Sequence, residues 1–368
     1  MSSKSKNIDS RALNEDEIAL FEEGGFLHPF VELVKKHKKD LQLCFRGNED
    51  TKSVIIYYNN RQVYKIYCNG KVEISFRTAR YYKKCKEKYD LLVKEYHFVG
   101  EETFECFLEK GNYSLTKMVK ENDDFEKIYI EVLRPILKNY AKNEEIIDYF
   151  KLIIEEKKQT RNHEEKEKKA QQRLFRQIKT IKSGYFFYDL EFHQTISEKK
   201  NININDANKN EPDILGIYFD DDRKPEKLVF VEVKSKEESL GDMESFEGSG
   251  LMAHLYKTYK YCKHPELINN RTIEACGIIN NYAALKLRGL NERNHFDVED
   301  FNNISLQALF LFTDEVKDYI NNNLEEYAIF QGREIDIKNP DCRAYAFNKD
   351  DMEQVIQRAQ KNRTEDKR

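Results

Sequence analysis

The chain lacks any apolar run approaching the roughly 20 residues of a membrane span, and residues Met1 to Ser5 carry none of the apolar segment of a secretory signal. No membrane partner is therefore expected, and a cytoplasmic location is the default. Tryptophan is absent, and the seven cysteines, Cys44, Cys68, Cys85, Cys106, Cys262, Cys276 and Cys342, show no paired short spacing. Zinc and iron-sulfur sites need such spacing, so the pattern argues for reduced thiols instead. Within residues 1–150 neither an internal repeat nor a nucleotide-binding loop stands out. The net charge of -4 also lacks the strongly basic balance that usually marks a nucleic-acid binder. Local patches matter more than the sum, because phosphates are contacted by patches.

What is present is charge, at 35% of residues, beside 39% apolar residues. That mixture implies a heavily charged surface over a sizeable core, and 368 residues suffice for two domains. Residues 1–150 read as a smaller α/β domain for recognition or regulation. A disordered tip (1–13) precedes helices at 14–23, capped by Asn14, and at 28–39, entered by Pro29. Strands at 41–45, 54–58, 63–68 and 72–76 then stand at hairpin spacing, with turns at Asn59-Asn60 and Asn69-Gly70, giving an antiparallel meander. Residues 80–94 suit a basic, aromatic helix, either a surface for bases and phosphates or an ordinary amphipathic face. Further helices are expected at 124–140 and from 143 to about 158, and the charged stretch 155–169 reads as a connector.

Residues 151–368 form the second expected domain. Its reading is a helix at 164–182, strands at 185–196, 214–219 and 228–231, and a helix at 250–263. Strands at 272–279 and 304–312, a helix at 314–324, a hairpin from 327–330 and 344–347, and a polar helix from 350 follow. The most informative residues lie inside this order. Pro212-Asp213 opens one apolar strand, and Glu232-Val233-Lys234 closes the next, with a turn of Asp220, Asp221, Asp222, Lys224 and Pro225 between them. Antiparallel pairing would gather Asp213, Glu232 and Lys234 at the edge away from that turn. Two carboxylates there suit a hard divalent cation such as Mg2+, and a lysine on the face of Glu232 suits charge building on phosphorus. Each residue alone has a bland reading: an Asp after Pro serves turns, and Glu-x-Lys serves an exposed strand face.

Pro212-Asp213 with Glu232-Val233-Lys234 resembles the signature of the PD-(D/E)xK nuclease superfamily, over about residues 164–324. The resemblance implies a restriction-endonuclease-like mixed sheet flanked by helices. It also implies that Asp213, Glu232 and the backbone of Val233 hold Mg2+ or Mn2+, with Lys234 as catalytic lysine. Gly250, His254, Lys257 and Tyr261 share one helix face. Lys257 and Tyr261 occupy a place comparable to the Gln-x-x-x-Tyr of RecB-type exonucleases, with Lys where Gln would be, able to contact a phosphate. A further acidic residue is implied, and Glu164, Glu165, Glu167 and Glu191 all remain open for it. His254 reads as a satisfied or solvated side chain rather than a ligand or base. The acidic stretch Glu237, Glu238, Asp242, Glu244 and Glu247 reads as a mobile loop over the cleft rather than a second metal site. Lys168, Lys169, Arg173 and Arg176 could lie along a phosphate backbone, or belong to a solvated linker helix.

The expected function is Mg2+-dependent hydrolysis of phosphodiester bonds, with DNA as substrate and RNA still open, in phage defence or repair. The rivals are a catalytically silent nucleic-acid-binding protein and a ligand-regulated effector. A homodimer or a regulatory partner would act through the N-terminal domain.

Overall fold

The computed structural model describes residues 11–39, 41–47, 51–58, 61–76, 105–109, 112–118, 126, 170–176, 184–190, 212–243, 245–323, 325–337 and 342–365. They fall in two compact units, one within Arg11–Thr160 and one within Arg161–Arg368. The expected helices at 80–94 and 143–158, and all of 124–140 except Glu126, lie outside the described residues.

In the first unit, helix α1 (Glu15–Ala19) begins with a reciprocal cap. The Glu17 N–H donates to Asn14 Oδ1 at 2.9 Å, and the Asn14 N–H donates to Glu17 Oε2 at 2.8 Å. Helix α2 (His28–Lys36) carries Pro29 in its first turn, where the missing N–H costs nothing. Six strands follow: β1 (Leu41–Arg46), β2 (Ser53–Tyr58), β3 (Arg61–Tyr67), β4 (Lys71–Phe76), β5 (Glu105–Glu109) and β6 (Asn112–Met118). They pair antiparallel in the order β1-β2-β3-β4-β6-β5. Phe30 of α2 packs edge-on against Tyr64 of β3. The expected disordered tip is corrected at its inner end, since Arg11 and Leu13 are buried. β5 and β6 add two strands to the four expected from the sequence.

The second unit is built on a mixed sheet. Helical residues 170–176 precede β7 (Gly184–Leu190), β8 (Ile214–Phe219) and β9 (Pro225–Lys234). After α3 (Leu251–Tyr261) and α4 (Pro265–Ala284) come β10 (Ser305–Thr313), α5 (Asp314–Asn322), β11 (Glu334–Ile335), β12 (Cys342–Phe347) and α6 (Lys349–Glu365). The sheet order is β11-β12-β10-β9-β8-β7. β7, β8 and β9 form an antiparallel meander, β10 joins β9 in parallel, and β12 and β11 continue antiparallel. From Leu228 to Val233, β9 is buried at every residue, as a strand covered on both faces must be.

Two expectations are corrected. Residues 272–279 are helical, inside α4, rather than a strand. Thr272, Ala275, Cys276 and Ile279 are buried at helical spacing, with Glu274 and Ile278 buried beside them, and the burial continues to Tyr282 and Ala283, while a short apolar run does not by itself reveal its period. Residues 328–330 form a 3-10 turn, not one arm of a hairpin. Phe330 is drawn inward among Phe310, Phe312, Tyr345 and Phe347, and β12 pairs with β11 instead. No helix among the described residues is long and apolar enough to cross a membrane.

Cys262 and Cys276 are buried free thiols, and burial pushes each up to about 12. They are expected to resist iodoacetamide at pH 8 in the native protein and to react once it is unfolded in guanidinium, read by peptide mass. Because the folded values lie above the ordinary 9.0, the unfolded chain releases these protons first, so stability falls as pH climbs from about 9 towards 12. Rapid native labelling of both thiols would contradict their placement.

Candidate active site

The register sets the positions. Ile214 lies opposite Val231, and one further step brings Asp213 level with Glu232 at the end of β9. Phe230, Glu232 and Lys234 share one face of β9 by alternation. Helix α3 covers that face, with the Tyr261 ring edge-on to Phe230 at 5.0 Å.

Three polar groups converge on this face. Lys234 Nζ donates to Glu232 Oε1 at 2.7 Å and to the Ser249 carbonyl at 3.1 Å. His254 Nε2 lies 3.0 Å from the same Glu232 oxygen. Glu232 is 7% and Lys234 4% exposed, so each charge depends on the other and on neighbouring dipoles to offset its lost hydration. Burial, followed by the charges of Lys234 and Lys257, pushes His254 down to about 3, against a Ser249 backbone hydrogen bond that raises it. Burial therefore favours the uncharged ring. On the adjoining strand end, Asp213 Oδ2 accepts the Val233 N–H at 2.8 Å. Pro212, Glu232, His254, Thr258 and Phe310 line a small pocket beside them.

The chain after β9 delivers His254 by a tight closure. The Leu251 N–H donates to the Leu240 carbonyl at 2.8 Å, and the His254 N–H donates to the Gly250 carbonyl at 3.1 Å as α3 begins. A Cβ on Gly250 would fall 2.9 Å from Leu240 O, and one on Gly241, at φ +69, would fall 2.7 Å from the Gly250 Cα. This pair of close approaches is open only to glycine. It fixes both ends of the loop and the start of the helix.

The remaining expected residues are placed as follows. Lys257 Nζ donates to the Gly248 carbonyl at 2.7 Å. Tyr261 is a buried core ring whose hydroxyl donates to Leu267 O at 3.4 Å. Arg173 is exposed and Arg176 half-buried on the helical residues 170–176, while Lys168, Lys169, Glu164, Glu165, Glu167 and Glu191 lie outside the described residues. Of the acidic loop, Glu237, Glu238, Asp242 and Glu247 are described. Among the described residues, no three His, Cys, Asp or Glu side chains converge as a metal cluster.

Two residues were undervalued by sequence reasoning. His254 was read as bland because nothing local ties a helix histidine to a carboxylate on a strand. Asp189, 1% exposed, sits at a bulge in β7 opposite Leu215, which in turn faces Phe230, so it belongs to the Glu232 side of the sheet. Its Oδ1 accepts the Leu190 N–H at 2.8 Å. The available signal was a lone acid in the apolar run of residues 185–190.

No family model matches the chain, no curated protein matches it, and no solved structure matches it.

Proposed function

We propose that the second unit is a metal-dependent nuclease of the PD-(D/E)xK type, hydrolysing phosphodiester bonds with DNA as its substrate. The observation that carries this reading is the buried Glu232–Lys234 pair at the end of the central strand, with Asp213 level with it on the adjoining strand. The order of helix, three-stranded meander, helix and parallel strand supports it.

The donor set fits a hard cation. Asp213 and Glu232 offer carboxylate oxygens, and Val233 a carbonyl between Glu232 and the lysine, which are the ligand types that suit Mg2+ or Mn2+. Bound there, such an ion would supply Lewis-acid charge to a phosphodiester oxygen. The protein's own part follows from geometry. The Val233 N–H fixes the Asp213 carboxylate, and the cover of α3 keeps Glu232 largely out of bulk water. Lys234 holds an ammonium against the same carboxylate, from which it can orient an attacking water or meet negative charge on the reacting phosphate. Defence against foreign DNA, phage defence in particular, or repair is the setting proposed, with the first unit as recognition or regulatory element acting in the cytoplasm.

A regulated effector is the second reading. Lys234 and Lys257, the two lysines of the site, also grip consecutive carbonyls of one loop, at Ser249 and Gly248. Such a loop could release them when a partner, a second copy or a ligand engages the first unit.

The test is incubation of the full chain with single- and double-stranded DNA and RNA in Mg2+, Mn2+ or EDTA. Cleavage of DNA with either metal and none in EDTA is expected, and metal-independent or absent cleavage would count against the nuclease. Lys234→Ala should lower turnover by about 10²–10³-fold, with Mn2+ affinity little changed in calorimetry. Unchanged turnover would remove Lys234 from the chemistry.

A further inference from the structure

We propose that His254 is the positioning residue of this site, donating Nε2–H to Glu232 Oε1 so that the carboxylate stays in place when Lys234 leaves it for the reacting phosphate. The inference rests on the nuclease reading above and adds a residue which that reading does not use.

The argument starts from a conflict between the two jobs of Lys234. In the resting structure its Nζ is bonded to Glu232 Oε1 at 2.7 Å and to Ser249 O at 3.1 Å. A lysine that serves a phosphate or an attacking water must give up at least part of this bonding. Glu232 is 7% exposed, so water could replace the lost donor only poorly. A buried carboxylate that loses its hydrogen bond carries the full cost of its desolvation, and its torsions are then free to turn it away from the cation site.

His254 is built to meet that need. Its Nε2 lies 3.0 Å from the oxygen that Lys234 also uses, and its side chain is 13% exposed. Two donors on one oxygen define both the rotation and the tilt of the carboxylate. The ring does not depend on a flexible tether: it sits in the first turn of α3, whose start is fixed by the Leu251–Leu240 backbone bond and the glycine contact described above. Lysine is a mobile donor on four carbons, whereas imidazole on a helix is a stationary one. The pairing of one stationary and one mobile donor on the same carboxylate is the arrangement a site needs if the mobile one takes part in the reaction.

The test has three readings on the full-length protein. Nitrogen-15 NMR of labelled histidine should find the His254 proton on Nε2; a proton on Nδ1 alone, with Nε2 bare, would overturn the proposal. Mn2+ affinity, measured by EPR titration without substrate, should weaken by about 10–100-fold in His254→Ala. His254→Gln, whose amide nitrogen lies near the former Nε2, should recover most of that loss, and His254→Asn, whose shorter amide falls near Nδ1, should not. This Gln and Asn comparison also decides the matter if the alanine variant folds poorly. Wild-type Mn2+ affinity in both His254→Ala and His254→Asn would overturn the positioning role while leaving the nuclease reading intact. If wild-type protein binds no Mn2+ and cuts no DNA, the nuclease reading fails first and the role of His254 falls with it.

Discussion

Asp213→Asn is expected to abolish metal-dependent DNA cleavage, with turnover lower by about 10³-fold or more, while the melting temperature moves little. The substituted amide keeps an oxygen for the Val233 N–H that the Asp213 carboxylate accepts at 2.8 Å, so the loss falls on cation binding rather than on the strand end. Glu232→Gln should remove cleavage equally, but with a stability cost as well. It leaves Lys234, 4% exposed, without the carboxylate charge that faces it at 2.7 Å, and a buried cation without its counter-charge is costly. Initial rates on labelled DNA, read beside thermal melts of each variant, check both parts. Cleavage within about 10-fold of wild type in Asp213→Asn would remove that residue from the site.

Arg271→Ala is expected to have the largest effect on stability. Arg271 Nη1 and Glu274 Oε2 meet at 2.7 Å on α4, one turn apart, at 2% and 1% side-chain exposure. Removing the guanidinium takes the opposing charge from a buried carboxylate in the interior of the second unit, at a cost of about 3–5 kcal/mol and a fall in melting temperature on the order of 10 °C. Replacing both residues, Arg271→Met with Glu274→Leu, should restore most of that loss, because the pair's mutual attraction is largely offset by its own desolvation. Denaturant melts of the single and double variants decide this. A single variant within 1 kcal/mol of wild type, a threshold well below the roughly 3 kcal/mol expected, would mean the pair carries little.

Most of the second unit's sheet was legible locally. The run Leu228 to Val231 is apolar and β-branched, and the turn before it is rich in Asp, so a buried strand following a reversal could be read directly. The turn forms as its residues suggest: Asp220 Oδ1 accepts the Lys224 N–H at 2.7 Å, and Arg223 takes a left-handed φ of 64. Asn14 and Pro29 likewise announced their helices, because a cap acts within three or four residues of itself. Where the answer depended on distant partners, local pattern fell short. Residues 272–279 are too short a run to reveal a helical period without Tyr282 and Ala283 beyond them. Phe330 reads as strand-forming, yet four aromatic rings from β10 and β12 decide its conformation.

The same distinction divides the site. Asp213, Glu232 and Lys234 stand at the ends, away from the turn, of two strands that one short turn joins, so bringing Asp213 level with Glu232 needed only an antiparallel register. His254 reaches Glu232 from a helix that begins seventeen residues beyond the end of β9. Its partner depends on where the Gly241–Gly250 closure aims that helix, which no spacing rule states. Lys257, a candidate for a phosphate contact, rests against the Gly248 carbonyl. That bond could be read only once the loop's path was known.

The central claim, that Asp213 and Glu232 grip one cation at the end of β9, is tested most directly by diffraction from crystals soaked in Mn2+ and measured at the manganese absorption edge. The account predicts an anomalous peak within bonding distance of both carboxylates and of the Val233 carbonyl. A peak elsewhere, or carboxylates that point away from each other with no ion between them at saturating Mn2+, would contradict it.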